Sequence, residues 1–110
     1  MNLKLAKQRI KRGYNDEDVW NLDNYFLEVF IPALKQLRDT KHGIPTIFCY
    51  DEDGNEIDDD VAEKAWNTEL NKMIGHFEAI QLYDGDGNEN QHHIDEGMKL
   101  FAKYFTCLWD

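Results

Sequence analysis

Apolar residues recur at three- and four-residue spacing through Val19, Leu22, Phe26, Val29, Phe30, Ala33, Leu34 and Leu37. The spacing gathers them on one face and predicts a helix running to about Thr40. Asn15, with Asp18 three positions later, marks its start as an N-cap followed by acids in the first turn. Pro32 lies inside the stretch. Lacking an N–H and clashing with the turn before it, this proline predicts a kink near Leu27 to Ile31, or two helices meeting there. His42-Gly43-Ile44-Pro45 is a stop signal.

The pattern then changes period. Thr46-Ile47-Phe48-Cys49-Tyr50 is β-branched and aromatic, and the Asp-Glu-Asp-Gly-Asn-Glu-Ile run from residue 51 to 57 reads as a tight turn into a second extended segment. A small β-hairpin fits here. Asp58, Asp59 or Asp60 can cap a second long helix, whose stripe is Val61, Ala62, Ala65, Trp66, Leu70, Met73, Ile74, Phe77 and Ile80, ending near Leu82. Residues 83 to 90 form a polar turn region. A third helix follows from about Ile94, with Ile94, Met98, Phe101, Phe105 and Leu108 on one face. Upstream, residues 3 to 12 can make a short helix from Leu3, Leu5, Ala6 and Ile10, too weak to stand without support.

The expected fold is therefore mainly α, a three-helix bundle-like domain, with a small β-hairpin between the first two long helices making it α-rich α+β. At 110 residues, 1–110 is read as a single domain. The third helix also carries Leu100, Tyr104, Cys107 and Trp109 off its main face. A helix that apolar on several sides predicts a second copy covering it, and so a homo-oligomer.

Composition sharpens this picture at three points. Cys49 and Cys107 sit among apolar neighbours, where free thiols behave as small hydrophobes rather than as a disulfide scaffold. Charges interrupt the N-terminus before any signal-like apolar run, and no stretch of about 18 apolar residues could span a bilayer, so a soluble, cytoplasmic protein without membrane contact is expected. The net charge of −10 is uneven. Residues 1–14 form a basic arm of +5 (Lys4, Lys7, Arg9, Lys11, Arg12), while the other seven bases face all 22 acids and leave the remainder at −15. Such a body repels nucleic-acid backbones and attracts basic protein surfaces. The arm can contact a phosphate, or dock on its own acidic body or on that of a neighbouring subunit.

Several chemistries are weighed against these residues. Asp51-x-Asp53-x-Asn55 and Asp84-x-Asp86-x-Asn88 match the first ligand spacings of a calcium loop, but Glu56 and Glu89 occupy its glycine position, and Ala62 and Asp95 its glutamate position. Both read as solvated turns, and no metal is expected. The acids Asp16, Glu17, Asp18, Asp23, Glu28, Glu63, Glu69 and Glu78 lie on the two long helices without the paired Glu-x-x-Glu and Glu-x-x-Asp motifs of all-α metal-dependent nucleotide hydrolases. His42, His76, His92 and His93 show no zinc or di-iron spacing, and His92-His93 reads as a solvated loop pair. No nucleophile elbow or phosphate loop is present, so neither a catalytic residue nor a cofactor is expected. Trp20 and Trp66 read as core. Were a nucleotide bound, Arg9, Arg12 and Tyr14 at the helix entrance would be the first residues to hold it.

The segment Lys11-Arg12-Gly13-Tyr14-Asn15-Asp16-Glu17-Asp18-Val19-Trp20-Asn21-Leu22-Asp23 and the run Leu100-Phe101-Ala102-Lys103-Tyr104-Phe105-Thr106-Cys107-Leu108-Trp109-Asp110 resemble small bacteriophage and prophage proteins. With the Trp66 to Phe77 helix, the resemblance covers roughly half the chain. It implies a phage origin and carries no catalytic residue. Small acidic phage proteins of this kind often act by occluding a basic groove of a host or host-defence protein. The leading expectation is thus a non-enzymatic interaction protein whose acidic segment 51–60, through Asp51, Glu52, Asp53, Glu56, Asp58, Asp59 and Asp60, meets a basic host protein. A nucleotide-sequestering oligomer using the basic arm, a virion assembly factor and a metal-dependent nucleotide hydrolase are the alternatives.

Overall fold

The computed structural model describes residues 2–83 and 87–110. Their elements are α1 (Leu3–Arg12), α2 (Asp16–Trp20), α3 (Leu22–Thr40), a 3-10 turn at Thr46–Phe48, α4 (Asp59–Gln81), α5 (Gly87–Tyr104) and a closing 3-10 turn at Phe105–Cys107. The fold is mainly α, with α3 and α5 both laid against α4. Asp84 and Asp86 of the second calcium-like segment lie outside the described residues.

Helix α4 is the spine. Its stripe buries Ala62, Trp66, Leu70, Met73, Ile74 and Phe77, while Leu27, Ile31 and Leu34 come from α3 and Tyr104 from α5. Two aromatic clusters hold the neighbours to it. Toward the start of α4, Trp66 packs against Phe48 and Tyr104 at ring distances of 5.2 and 5.4 Å. Toward its end, Phe26 and Phe30 meet Phe77 and Phe101 edge to face at 5.2 to 6.0 Å, the geometry aromatic quadrupoles favour. Lys41, just beyond α3, is tied down as well: its nearly buried ammonium donates to the Arg38 carbonyl at 2.9 Å and to Asn67 on α4.

Four expectations need correction. First, Pro32 does not interrupt α3; it lies on the exposed face, where the carbonyl left without a donor can bond water. The break falls at Asn21, whose φ of −129° and ψ of 59° are not helical. Asparagine competes for local backbone groups and so resists helix interiors. Second, this bend takes Val19 and Trp20 off the α3 face. Trp20, expected in the core, is 75 % exposed.

Third, the hairpin reduces to one bridge between Tyr50 and Glu56 around a turn, preceded by the 3-10 turn. Phe48 is drawn inward by Trp66 and Tyr104, and a helical turn reaches them where alternation would not. Fourth, α5 begins at Gly87 rather than near Ile94. Its first turn is polar, with Glu89 placed favourably for the helix dipole, and therefore invisible to apolar periodicity. The two cysteines are free and half-buried, Cys49 with its sulfur 3.5 Å from the Pro45 carbonyl.

Candidate functional site

The acidic segment is built by its own backbone. Gly54 adopts φ +82°, which only glycine takes cheaply, and donates to the Asp51 carbonyl at 3.0 Å. The Asp51 carboxylate accepts from the Asp53 and Asn55 amides at 3.0 and 2.9 Å, an Asx turn. Ile57 donates to Cys49 at 2.8 Å and closes the loop. Asp58 then caps α4 by accepting from the Asp60 amide at 2.9 Å, and Asp59 and Asp60 sit in the first turn, where the helix dipole favours them.

Those contacts divide the seven acids by role. Asp51, Asp58, Asp59 and Asp60 help to hold the turn and the helix start. Glu52, Asp53 and Glu56 have no such duty. All seven are exposed, and none pairs with a base among the described residues. Elsewhere the pairing is frequent: Glu78 with Lys35 at 2.9 Å, Glu63 with Lys41, Glu69 with Lys72 and Asp39 with Arg38. The helix acids weighed for a metal thus include three, Glu63, Glu69 and Glu78, that turn to lysines instead of converging. Among the described residues no group of three potential ligands is placed to hold a metal ion.

The basic arm folds onto its own chain. Asn2 caps α1, and Gly13 at φ +86° ends it. Arg9 reaches Asp18 with both Nε (2.9 Å) and Nη2. Asp18 is buried and also accepts from the Asn15 amide at 2.8 Å, while the Asn15 side chain accepts from the Asp18 amide, a reciprocal capping box. The Arg9 guanidinium, with help from that amide, lowers the Asp18 carboxyl pKa, and Asp18 in turn raises that of Arg9. Arg12 pairs with Asp16 at 2.7 Å and lies over the Tyr14 ring at 4.5 Å; Tyr25 donates to the Gly13 carbonyl. Arg9, Arg12 and Tyr14 are therefore brought near one another, with both guanidiniums already engaged by carboxylates of α2.

Periodicity missed the histidines. His92 and His93 lie in α5, not in a loop, and His93 Nδ1 is 3.0 Å from Nδ1 of His76 on α4. Only one of those nitrogens can carry the proton, so one ring must be neutral there. Burial, then the neighbouring His93 and His92, lowers the His76 pKa below its ordinary 6.5, against the pull of Glu96. The unfolded chain takes up this proton first as pH falls. The stability that His76 contributes is complete above about pH 7 and declines as pH drops through 6.5 toward the lower folded value. Thermal melts at about pH 7.5 and pH 5.5 should show the midpoint falling in wild type and falling less in His76→Gln; equal pH slopes would contradict the assignment.

An apolar groove of about 510 Å³ runs between α3 and α5, floored by Phe26, Leu27, Ile80 and Phe101 and walled by Leu22, Ile94 and Met98. A second depression shares Leu22 and Phe26 and continues along α3 past Val29, Phe30 and Ala33. No helix among the described residues is long and apolar enough to cross a membrane. Compared with family models, with curated proteins and with solved structures, the chain matches none.

Proposed function

We propose that this chain is a binding protein that uses the acidic end formed by residues 51–60 to dock on a basic surface of a partner protein. The observation that supports it most is the contrast in charge pairing. Many acids on α2, α3 and α4 have a basic partner within the chain, whereas the seven at this end have none among the described residues. Crowding unneutralised carboxylates costs folding stability through repulsion and creates a strong local potential, which a lysine- or arginine-rich surface would relieve. The resemblance to phage and prophage proteins favours a host protein as that partner.

The nucleotide-holding alternative is less well supported, since Arg9 and Arg12 would have to leave Asp18 and Asp16 to meet a phosphate. The test uses the three acids without a structural duty. Glu52→Gln, Asp53→Asn and Glu56→Gln together should leave helicity unchanged and remove basic proteins from those captured by the immobilised wild-type chain. Salt at about 0.5 M should release them from wild type too. The same proteins captured equally by the triple variant would rule this surface out.

A further inference from the structure

We propose that two copies of this chain pair through the apolar groove between α3 and α5, so that the solution form is an isologous homodimer. This pairing does not depend on what the acidic end binds.

The first support is surface area. A compact monomer of 13.0 kDa exposes about 6,300 Å². This chain exposes 7836 Å², an excess of about 1,500 Å² over that scaling. A typical protein interface buries about 800 Å² per partner, so the excess is enough to supply one. The shape agrees, because the radius of gyration is 17.2 Å and the extents are 55 × 36 × 18 Å, against about 13 Å for a compact chain of this length. In the helical layer α3 and α5 lie on α4 and meet only through Phe26, Phe30 and Phe101 at the groove floor, while α1, which buries none of its residues, extends the shape beyond that layer.

The second support is the chemistry of the open face. Leu22 (59 % exposed) and Val29 (54 %) stand on α3, and Met98 (43 %) and Phe105 (61 %) stand on α5 and the turn after it. With the half-buried Phe26, Phe30 and Phe101 at their base they join the groove and the depression beside it into one apolar face. Asp23 and Asn90 are the polar groups lining the groove.

A face with a ridge on each side of a groove is self-complementary under a two-fold axis, since the ridge of one copy can enter the groove of the other. The acidic end does not prevent it. The groove floor at Ile80 and the acidic end at Asp59 lie about 30 Å apart along α4, several screening lengths at physiological salt.

Sedimentation equilibrium on the full chain at up to about 100 μM, a range that reports micromolar dissociation constants, should give a mass of about 26 kDa, twice the 13.0 kDa chain. Val29→Lys and Phe105→Lys should each weaken pairing about 100-fold by burying an unpaired ammonium. Both lower the net negative charge, so added repulsion cannot be the cause, and both positions are exposed, so far-UV circular dichroism should stay that of wild type. A 13.0 kDa species throughout the range overturns the proposal. So does a dimer that survives both substitutions, because the two copies would then meet elsewhere. A monomer that takes up a hydrophobic dye at the groove also overturns it, giving the face to some other occupant.

Discussion

Trp66→Ala should destabilise the protein by about 4 kcal/mol and lower its thermal midpoint by about 15 °C or more. Trp66 is fully buried on the central helix and joins three segments distant in sequence: α4 itself, the 3-10 turn through Phe48, and the end of α5 through Tyr104. Removing the indole loses its transfer energy and leaves a cavity that three anchored elements cannot all collapse to fill. A loss of that size is a large part of the 5 to 15 kcal/mol typical of a whole domain. Trp20→Ala is the control, since that ring is exposed on α2 and its removal should change stability by no more than about 0.5 kcal/mol. Chemical denaturation of the two variants side by side checks both numbers, and similar losses in both would mean that α2 packs differently from the structure described.

Gly97→Val should cost about 3 kcal/mol. This glycine is buried where α5 packs against α4: a Cβ built there would lie 3.2 Å from His76 Cβ and 3.2 Å from the Phe77 ring. Valine adds two methyl groups beyond that Cβ, and they can only be placed by pushing the helices apart, which also strains the contact between His76 and His93. Gly97→Ala is a finer measure, because the gain of about 1 kcal/mol in helix propensity opposes a contact a few tenths of an ångström too tight. It should come out near neutral. Gly75→Ala, with nothing within 4 Å of the added carbon, should stabilise by about 0.5 to 1 kcal/mol. The order Gly75→Ala above wild type, Gly97→Ala close to it and Gly97→Val well below is read from urea midpoints.

These contrasts show where the sequence was legible. The stripe of α4 was, because Trp66, Leu70, Met73 and Phe77 repeat on one face without a breaker, and each is buried. The first long helix was legible in existence but not in its joint. Pro32 is the stronger breaker by chemistry, yet on a solvent-facing position its cost is small, and the weaker Asn21 sets the bend because a capped short helix precedes it. Phe48 sat in a segment of strand-like composition, and the buried pocket beside Trp66 and Tyr104 overrode local preference. That kind of tertiary override leaves no periodic trace. The polar first turn of α5 and the cross-helix meeting of His76 with His93 were hidden for a related reason, since spacing along one helix says nothing about what stands opposite on another.

The candidate site was legible differently. Clustering of acids at 51–60 is plain in the sequence; which acids support the backbone is not. The Asx turn at Asp51 and the cap at Asp58 leave Glu52, Asp53 and Glu56 as the residues to vary without disturbing the fold. The arm taught the opposite lesson. Arg9 and Arg12 look available to a phosphate in sequence, but Asp18 and Asp16 stand one helix later and engage both.

The most direct test of the acidic-end account is site-specific photo-crosslinking in cells, with a benzophenone amino acid replacing Asp53 in one variant and Glu89, near the start of α5, in another. The position-53 probe should attach to the protein captured by the wild-type chain, within a lysine- or arginine-rich segment, and the position-89 probe should not. Capture of the same partner with crosslinks from position 89 and none from position 53 would contradict it.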